Sequence, residues 1–407
     1  MDDHAPEDLS PVFDAYSEEG LRAAGSLKWT RYGQALGAFV AEMDFGTAPA
    51  VTDTLAAAVA GNRFGYLTPE AATDMARACA RWQADRYGWA VPAEWVTPLP
   101  DVLAGLQAAI EYFTPPGSPV VLPTPAYMPF LRVPGLLGRE ILQVPMVRRD
   151  GRTTYDLGGI ARALQAGGRL VVHCNPHNPL GRVFSVEEQL ALADVVERAG
   201  ARVFSDEIHA PLVLPGAVHR PYASLSAVTA GHTVTATSAS KAWNLPGLKA
   251  AQLILTSEAD ADHWSQVGFL AGHGASTPGV LAATAAYDRG RGWLDSVLGY
   301  LDGNRRLLGH LLAERVPGIR FEPPEGTYLA WLDCRELALR GPAGQFFLEQ
   351  AGVALVEGAE CGAPGAGHVR LNFATPRPVL TALVDRMAAA LAHTDGGPQG
   401  GVGLPLA

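Results

Sequence analysis

RLVVHCNPHNPLGRVFSVEEQLALADVVERAGARVFSDEIH, from Arg169 to His209, is the stretch whose reading decides the fold. An apolar, β-branched run (Arg169 to Cys174) ends in a polar turn rich in Asn, Pro and Gly. Ser185 followed by Val186-Glu187-Glu188 then reads as an N-cap and acidic first turn of a helix reaching about Gly200. A second apolar run (Ala201 to Ser205) breaks into Asp206-Glu207-Ile208-His209. Strand, helix, strand in this order is the unit of a parallel sheet covered by helices.

Working outward, the same texture extends from about Val120 to Leu255. Strands are predicted at Pro119 to Leu122, Thr233 to Thr237 and Gln252 to Leu255, and a helix from Asp101 to Phe113 ahead of Pro115-Pro116. After about Tyr287 come a long helix (Leu294 to Arg315) and strands near Tyr328 to Leu332 and His368 to Phe373, an α+β texture. The expected organisation is an N-terminal segment, 1–45, joining a small domain at 287–393, with a large α/β domain at 46–286 and a disordered Gly- and Pro-rich tail at 394–407.

The chain has 407 residues, 48% of them hydrophobic, enough for two cores. Its formal charge of -10 is spread along the chain with no basic run, so nucleic acid is not an expected partner. No apolar stretch is long enough for a membrane span, and the acidic start MDDHAPEDLS is unlike a secretion signal, so a cytoplasmic protein is expected. Cys79, Cys174, Cys334 and Cys361 lie far apart, so they are read as free thiols and no metal site is expected.

Ligands of doubly wound sheets sit at the carboxyl ends of the strands. There the sequence places Asn175 to Arg182, Asp206 to His209, and Ser238-Ala239-Ser240-Lys241. Read alone, Lys241 is a lysine opening a surface helix, Asp206 a helix cap, Asn178 a turn residue and Tyr127 a core aromatic.

The combination says more. Lys28-Trp29, VAEMDF (Val40 to Phe45), FGYLTPE (Phe64 to Glu70), CNPHNPLGRVF (Cys174 to Phe184), SDEIHAPLVL (Ser205 to Leu214), SASKAWNLPGLKAAQ (Ser238 to Gln252), EGTYLAWLD (Glu325 to Asp333) and HVRLNFATPR (His368 to Arg377) follow in order. Together they resemble the signature set of fold-type I pyridoxal-phosphate enzymes of the class I/II aminotransferase superfamily, nearest to its cystathionine β-lyase (MalY/PatB) branch. The resemblance implies a mainly parallel seven-stranded sheet between helices plus the smaller α+β domain. It also implies a homodimer with shared active sites.

The site is implied residue by residue. Lys241 matches the lysine that carries the cofactor and removes the α-proton. Asp206 matches the carboxylate that keeps the pyridine nitrogen protonated, Asn178 the donor to the ring oxygen and Tyr127 the ring-stacking aromatic. His209 stands where it either touches that oxygen or backs the residues that do. Ser238, Ser240 and Lys249, the amides of Asp101 and Val102 at a helix start, and Tyr66 from a second subunit match the phosphate site. Many relatives have glycine at Asp101, so its carboxylate is expected to cap its helix or turn away. Arg370 matches the clamp on the substrate carboxylate, with Asn178, Glu42 and Trp29 beside it. Glu357 and Cys361 depart from the family pattern and are expected to alter the pocket floor.

The lyase-branch motifs imply a carbon–sulfur β-lyase that converts an L-cysteine S-conjugate of cystathionine type to thiol, pyruvate and ammonia. An aminotransferase is the alternative, as is a biosynthetic enzyme working on a larger cysteine conjugate by elimination or oxidative decarboxylation-deamination.

Overall fold

The computed structural model describes residues 8–394, so the tail lies outside the described residues except for Thr394 at the helix end. Its large sheet comprises β1 (Val96–Leu99), β2 (Val120–Thr124), β3 (Ile141–Pro145), β4 (Leu170–Cys174), β5 (Arg202–Asp206), β6 (Thr233–Thr237) and β7 (Ala251–Leu255). The spatial order of these seven strands is β1-β7-β6-β5-β4-β2-β3. Strands β2 to β6 are parallel to one another, whereas β7 is antiparallel to both β1 and β6.

The apolar runs are continuous because both faces are covered. Val120, Leu122, Val172 and Phe204 pack under α1 (Val102–Tyr112), while Val121, Val171 and Val203 pack under α2 (Val186–Arg198). Ser185 and Glu188 close the reciprocal cap of α2 that the sequence predicts.

The second sheet holds β8 (Arg320–Phe321), β9 (Leu329–Asp333), β10 (Val356–Glu357) and β11 (His368–Asn372), antiparallel in the order β8-β9-β11-β10. Its apolar side joins the core under α3 (Arg291–Arg315) and α4 (Arg377–Thr394), through Leu308, Leu312, Leu380 and Val384. From the N-terminal segment, Leu36–Gly37 pairs in parallel with Val353–Ala354.

Registers set the floor of the site. Cys174 stands opposite Asp206, and Asp206 opposite Ala236, so β4, β5 and β6 end level with one another. The chain winds outward from β2 to β3, and in the opposite direction from β4 through β6. The reversal lies between β2 and β4, where an open sheet leaves a crevice.

Candidate active site

The loops that leave these strand ends enclose one cavity. Its walls include Tyr127, Asn178, Asp206, Ile208, His209, Ser240, Lys241 and Lys249, with Asp101 and Val102 at the start of α1. Residues spread over about 150 positions of sequence thus meet at a single opening.

Lys241 donates from Nζ to the Ala41 carbonyl at 2.8 Å, and the buried Tyr328 hydroxyl donates to the same oxygen at 3.0 Å. Burial lowers the Lys241 amine to about 8, and the Arg370 charge acts in the same direction. Asp206 is buried at the end of β5, where Oδ1 accepts from the Ile208 amide at 3.0 Å. Burial raises its carboxyl to about 7 against that hydrogen bond, and the neighbouring Glu207 charge adds to the rise. His209 is held neutral, well below its ordinary value, by burial and then by Lys241. Burial raises the Tyr127 phenol.

Arg370, on β11, donates from one terminal nitrogen to Asn178 Oδ1 at 2.9 Å and from the other to the Phe39 carbonyl at 2.8 Å. Because the Asn178 oxygen is engaged, its amide nitrogen is the atom left to donate. The loop that carries Asn178 is fixed through Gly181, at φ +69°, whose carbonyl accepts the amides of Glu325 and Gly326. A Cβ there would lie 2.3 Å from Pro324 Cβ, so only glycine permits this approach of the loop to Pro324.

At the opposite end of the cavity, Asp101 caps α1, its Oδ1 accepting from the Ala104 amide at 3.0 Å, as expected from the sequence. Its Oδ2 also accepts from Lys249 Nζ at 3.0 Å, a pairing that the sequence did not foretell.

Some expectations need correcting. Trp29, which the resemblance places beside the substrate, is buried in the core and gives its indole N–H to Asp44 at 2.9 Å. Beside it, Lys28 pairs with Asp44 at 2.7 Å, so the Lys28-Trp29 motif anchors the segment that carries Ala41 and does not face the cavity. Ser238 gives its hydroxyl proton to the Ala250 carbonyl and accepts from the Ser240 amide. It shapes the turn, and Ser240 is the one on the cavity wall. Glu357, expected to alter the pocket floor, turns to accept the Gly344 amide at 2.8 Å. Cys361 is buried, and burial pushes its thiol up to about 11 against the pull of Arg370.

Glu42 is absent from the cavity wall but its charge acts on Lys241, and Tyr66 is 89% exposed, away from this chain's own cavity. The carbonyl of Ala41 and the amide of Ile208 were missed because backbone groups leave no residue-type signal. Tyr328 was legible only as part of EGTYLAWLD.

Fold and site together define an α/β enzyme that would hold an aromatic, phosphate-bearing cofactor at a partly buried lysine. The chain matches the family "Aminotransferase class I and II" over residues 40–387 and belongs to it. It is 38% identical to a cystathionine β-lyase of Corynebacterium glutamicum, over 92% of this chain and 98% of that one. A Corynebacterium diphtheriae structure assigned as a PLP-dependent β-cystathionase superposes with a TM-score of 0.88 at 44% identity, covering 93% of this chain and 98% of that one. The PLP-bound C–S lyase of Staphylococcus hominis gives 0.85 at 28%, covering 93% and 98%.

Proposed function

We propose that this chain is a pyridoxal-phosphate-dependent carbon–sulfur β-lyase acting on an L-cysteine S-conjugate of cystathionine type. The observation that carries the reading is the meeting of the partly buried Lys241 and the buried Asp206 in one cavity, in a chain so similar to cystathionine β-lyases. The residues present fit the cofactor. His209 Nδ1 and Arg370 Nε are buried with no partner among the described residues, and the start of α1 offers its amides to a phosphate.

The cofactor supplies an electron sink for the α-carbon of an amino acid. In this reading Asp206 holds a proton at the ring nitrogen, Asn178 donates to the ring oxygen, and Tyr127 covers the ring face. The Arg370 guanidinium takes the substrate carboxylate, exchanging its present carbonyl partner for a charged one. An amine lowered to about 8 is a competent base near neutral pH, so Lys241 removes the α-proton. The Cβ–S bond then breaks with its electron pair on sulfur, and Lys241 returns the proton to give the thiol. Hydrolysis of the three-carbon remainder yields pyruvate and ammonia.

Assembly as a homodimer belongs to the same reading. Phe64, Tyr66, Phe269 and Leu270 are exposed large apolar side chains, and the rings of Tyr66 and Phe269 both stack near His273. We also propose the domain limits of 1–45 with 287–393, and 46–286, and a cytoplasmic location, in keeping with four free cysteines.

The test is to incubate the holoenzyme with L-cystathionine and no acceptor, and separately with alanine plus a 2-oxo acid. Pyruvate and free thiol in the first tube, absent with Lys241→Ala, are expected. Product only in the second would make the chain an aminotransferase.

A further inference from the structure

The carboxylate that follows Asp206 in the chain is buried just as deeply, yet it is absent from the cavity wall. Glu207 is 1% exposed. Its amide donates to the Ala236 carbonyl at 2.9 Å, so the strand ends β5 and β6 hold its backbone. Its Oε1 accepts from Ser205 Oγ at 2.8 Å and from the Tyr222 amide at 3.0 Å, and its Oε2 meets His219 Nε2 at 3.2 Å.

His219 decides the charge of this cluster. It is buried, and its Nδ1 has no partner among the described residues. A protonated imidazole would bury an N–H with no acceptor. The neutral ring with its hydrogen on Nε2 satisfies Glu207 and leaves only a lone pair unmatched. Three donors facing one carboxylate mark Glu207 as ionised. Nearby, the Tyr87 phenol is raised by burial and the His173 imidazole lowered by burial to about 4, so both are neutral at pH 7. On the cavity side Asp206 faces the Cys174 thiol, the Tyr127 phenol and the Lys241 amine. The Glu207 charge therefore acts on Asp206 from off the cavity wall, with the Arg86 and Arg220 guanidiniums placed near Tyr87 at the edge of the cluster.

We propose that Glu207 is a positioning residue whose buried charge strengthens the hold of Asp206 on the proton it shares with the cofactor's ring nitrogen. Losing that proton would leave two carboxylates charged side by side in a poorly solvated place. The ring nitrogen thereby stays protonated into the pH range where Lys241 is neutral and able to act as base. The inference rests on Asp206 being the partner of that nitrogen; the first measurement below does not.

Glu207→Gln keeps the side chain's size and the oxygen that Ser205 and Tyr222 use, and removes the charge. In the cofactor-free chain with carboxyl-labelled aspartate, the Asp206 resonance, assigned with Asp206→Asn, is titrated by carbon NMR. Its midpoint is expected to fall by on the order of one pH unit in Glu207→Gln. His219→Gln, which keeps a donor and leaves the charge, is expected to hold the midpoint in place. In the holoenzyme, the pH midpoint of the cofactor's absorbance band is expected to fall in Glu207→Gln, and kcat at alkaline pH to drop about tenfold with little change in KM. An unmoved Asp206 midpoint in folded Glu207→Gln, or a comparable shift in His219→Gln, overturns the coupling. A moved midpoint with an unmoved absorbance profile overturns instead the pairing of Asp206 with the ring nitrogen.

Discussion

At the scale of single residues, Lys241 and Asp206 are held in opposite departures from their ordinary ionisation, and each leaves a mark on stability. The Lys241 amine is depressed from 10.5 to about 8, so the folded chain binds that proton more weakly than the unfolded one. The stability tied to it is present above about 10.5 and is lost as pH falls through 8. Asp206 is raised from 3.8 to about 7, so its contribution is present below about 4 and is lost as pH rises through 7. Near neutral pH the cofactor-free chain is therefore strained at the residues that would bind cofactor. Lys241→Met is expected to stabilise the cofactor-free protein by about 2 kcal/mol at pH 7, with the gain gone by about pH 11, while abolishing turnover. Calorimetric melting across that range checks it, and a lower melting temperature at pH 7 would contradict it.

Among the elements, the start of α1 carries two tasks that pull apart. The helix needs an N-cap, which Asp101 supplies, and the phosphate site that we propose there needs positive charge. Lys249, in a left-handed backbone conformation at φ +51°, answers Asp101 directly. Both side chains are largely exposed, so the pair adds little to stability, but it diverts the cation from a bound phosphate. Asp101→Asn keeps a capping oxygen and frees Lys249, and several-fold tighter retention of pyridoxal phosphate is expected from fluorescence titration. Asp101→Ala loses the cap and should cost about 1 kcal/mol in thermal unfolding. Looser retention in Asp101→Asn would show that Asp101 aids the site.

Across the whole molecule, the segment from Val40 to Gly46 ties the second sheet to the loop that follows β6. Asn372 donates to the Val40 and Glu42 carbonyls, Asn244 donates to Met43 and Gly46, and Lys28 and Trp29 hold Asp44 from beneath. Ala41, in its middle, is thereby presented to Lys241 and Tyr328. The apolar surface around Phe269 lies on one side of this assembly, where we place a second copy. Replacing Phe269 and Leu270 together by aspartate is expected to give a monomer in sedimentation velocity. Cofactor retention should fall with it, because Tyr66 would lose the neighbouring site. A dimer that survives the double change would place the interface elsewhere.

The apolar runs, the capping residues of α1 and α2 and the residue types at three strand ends were legible in the sequence, because periodicity and side-chain chemistry are local properties. Lys241, Asp206, Asn178 and Arg370 could be singled out only through the resemblance that their ordered motifs carry, since each residue read alone has an ordinary structural use. Only tertiary structure decided that Trp29 is an anchor, that Glu357 accepts the Gly344 amide, that Lys249 is paired with Asp101, and that the Ala41 carbonyl receives Lys241. Each depends on where distant backbone segments come to rest, and a carbonyl or amide is the same in every residue until the fold gives it a neighbour.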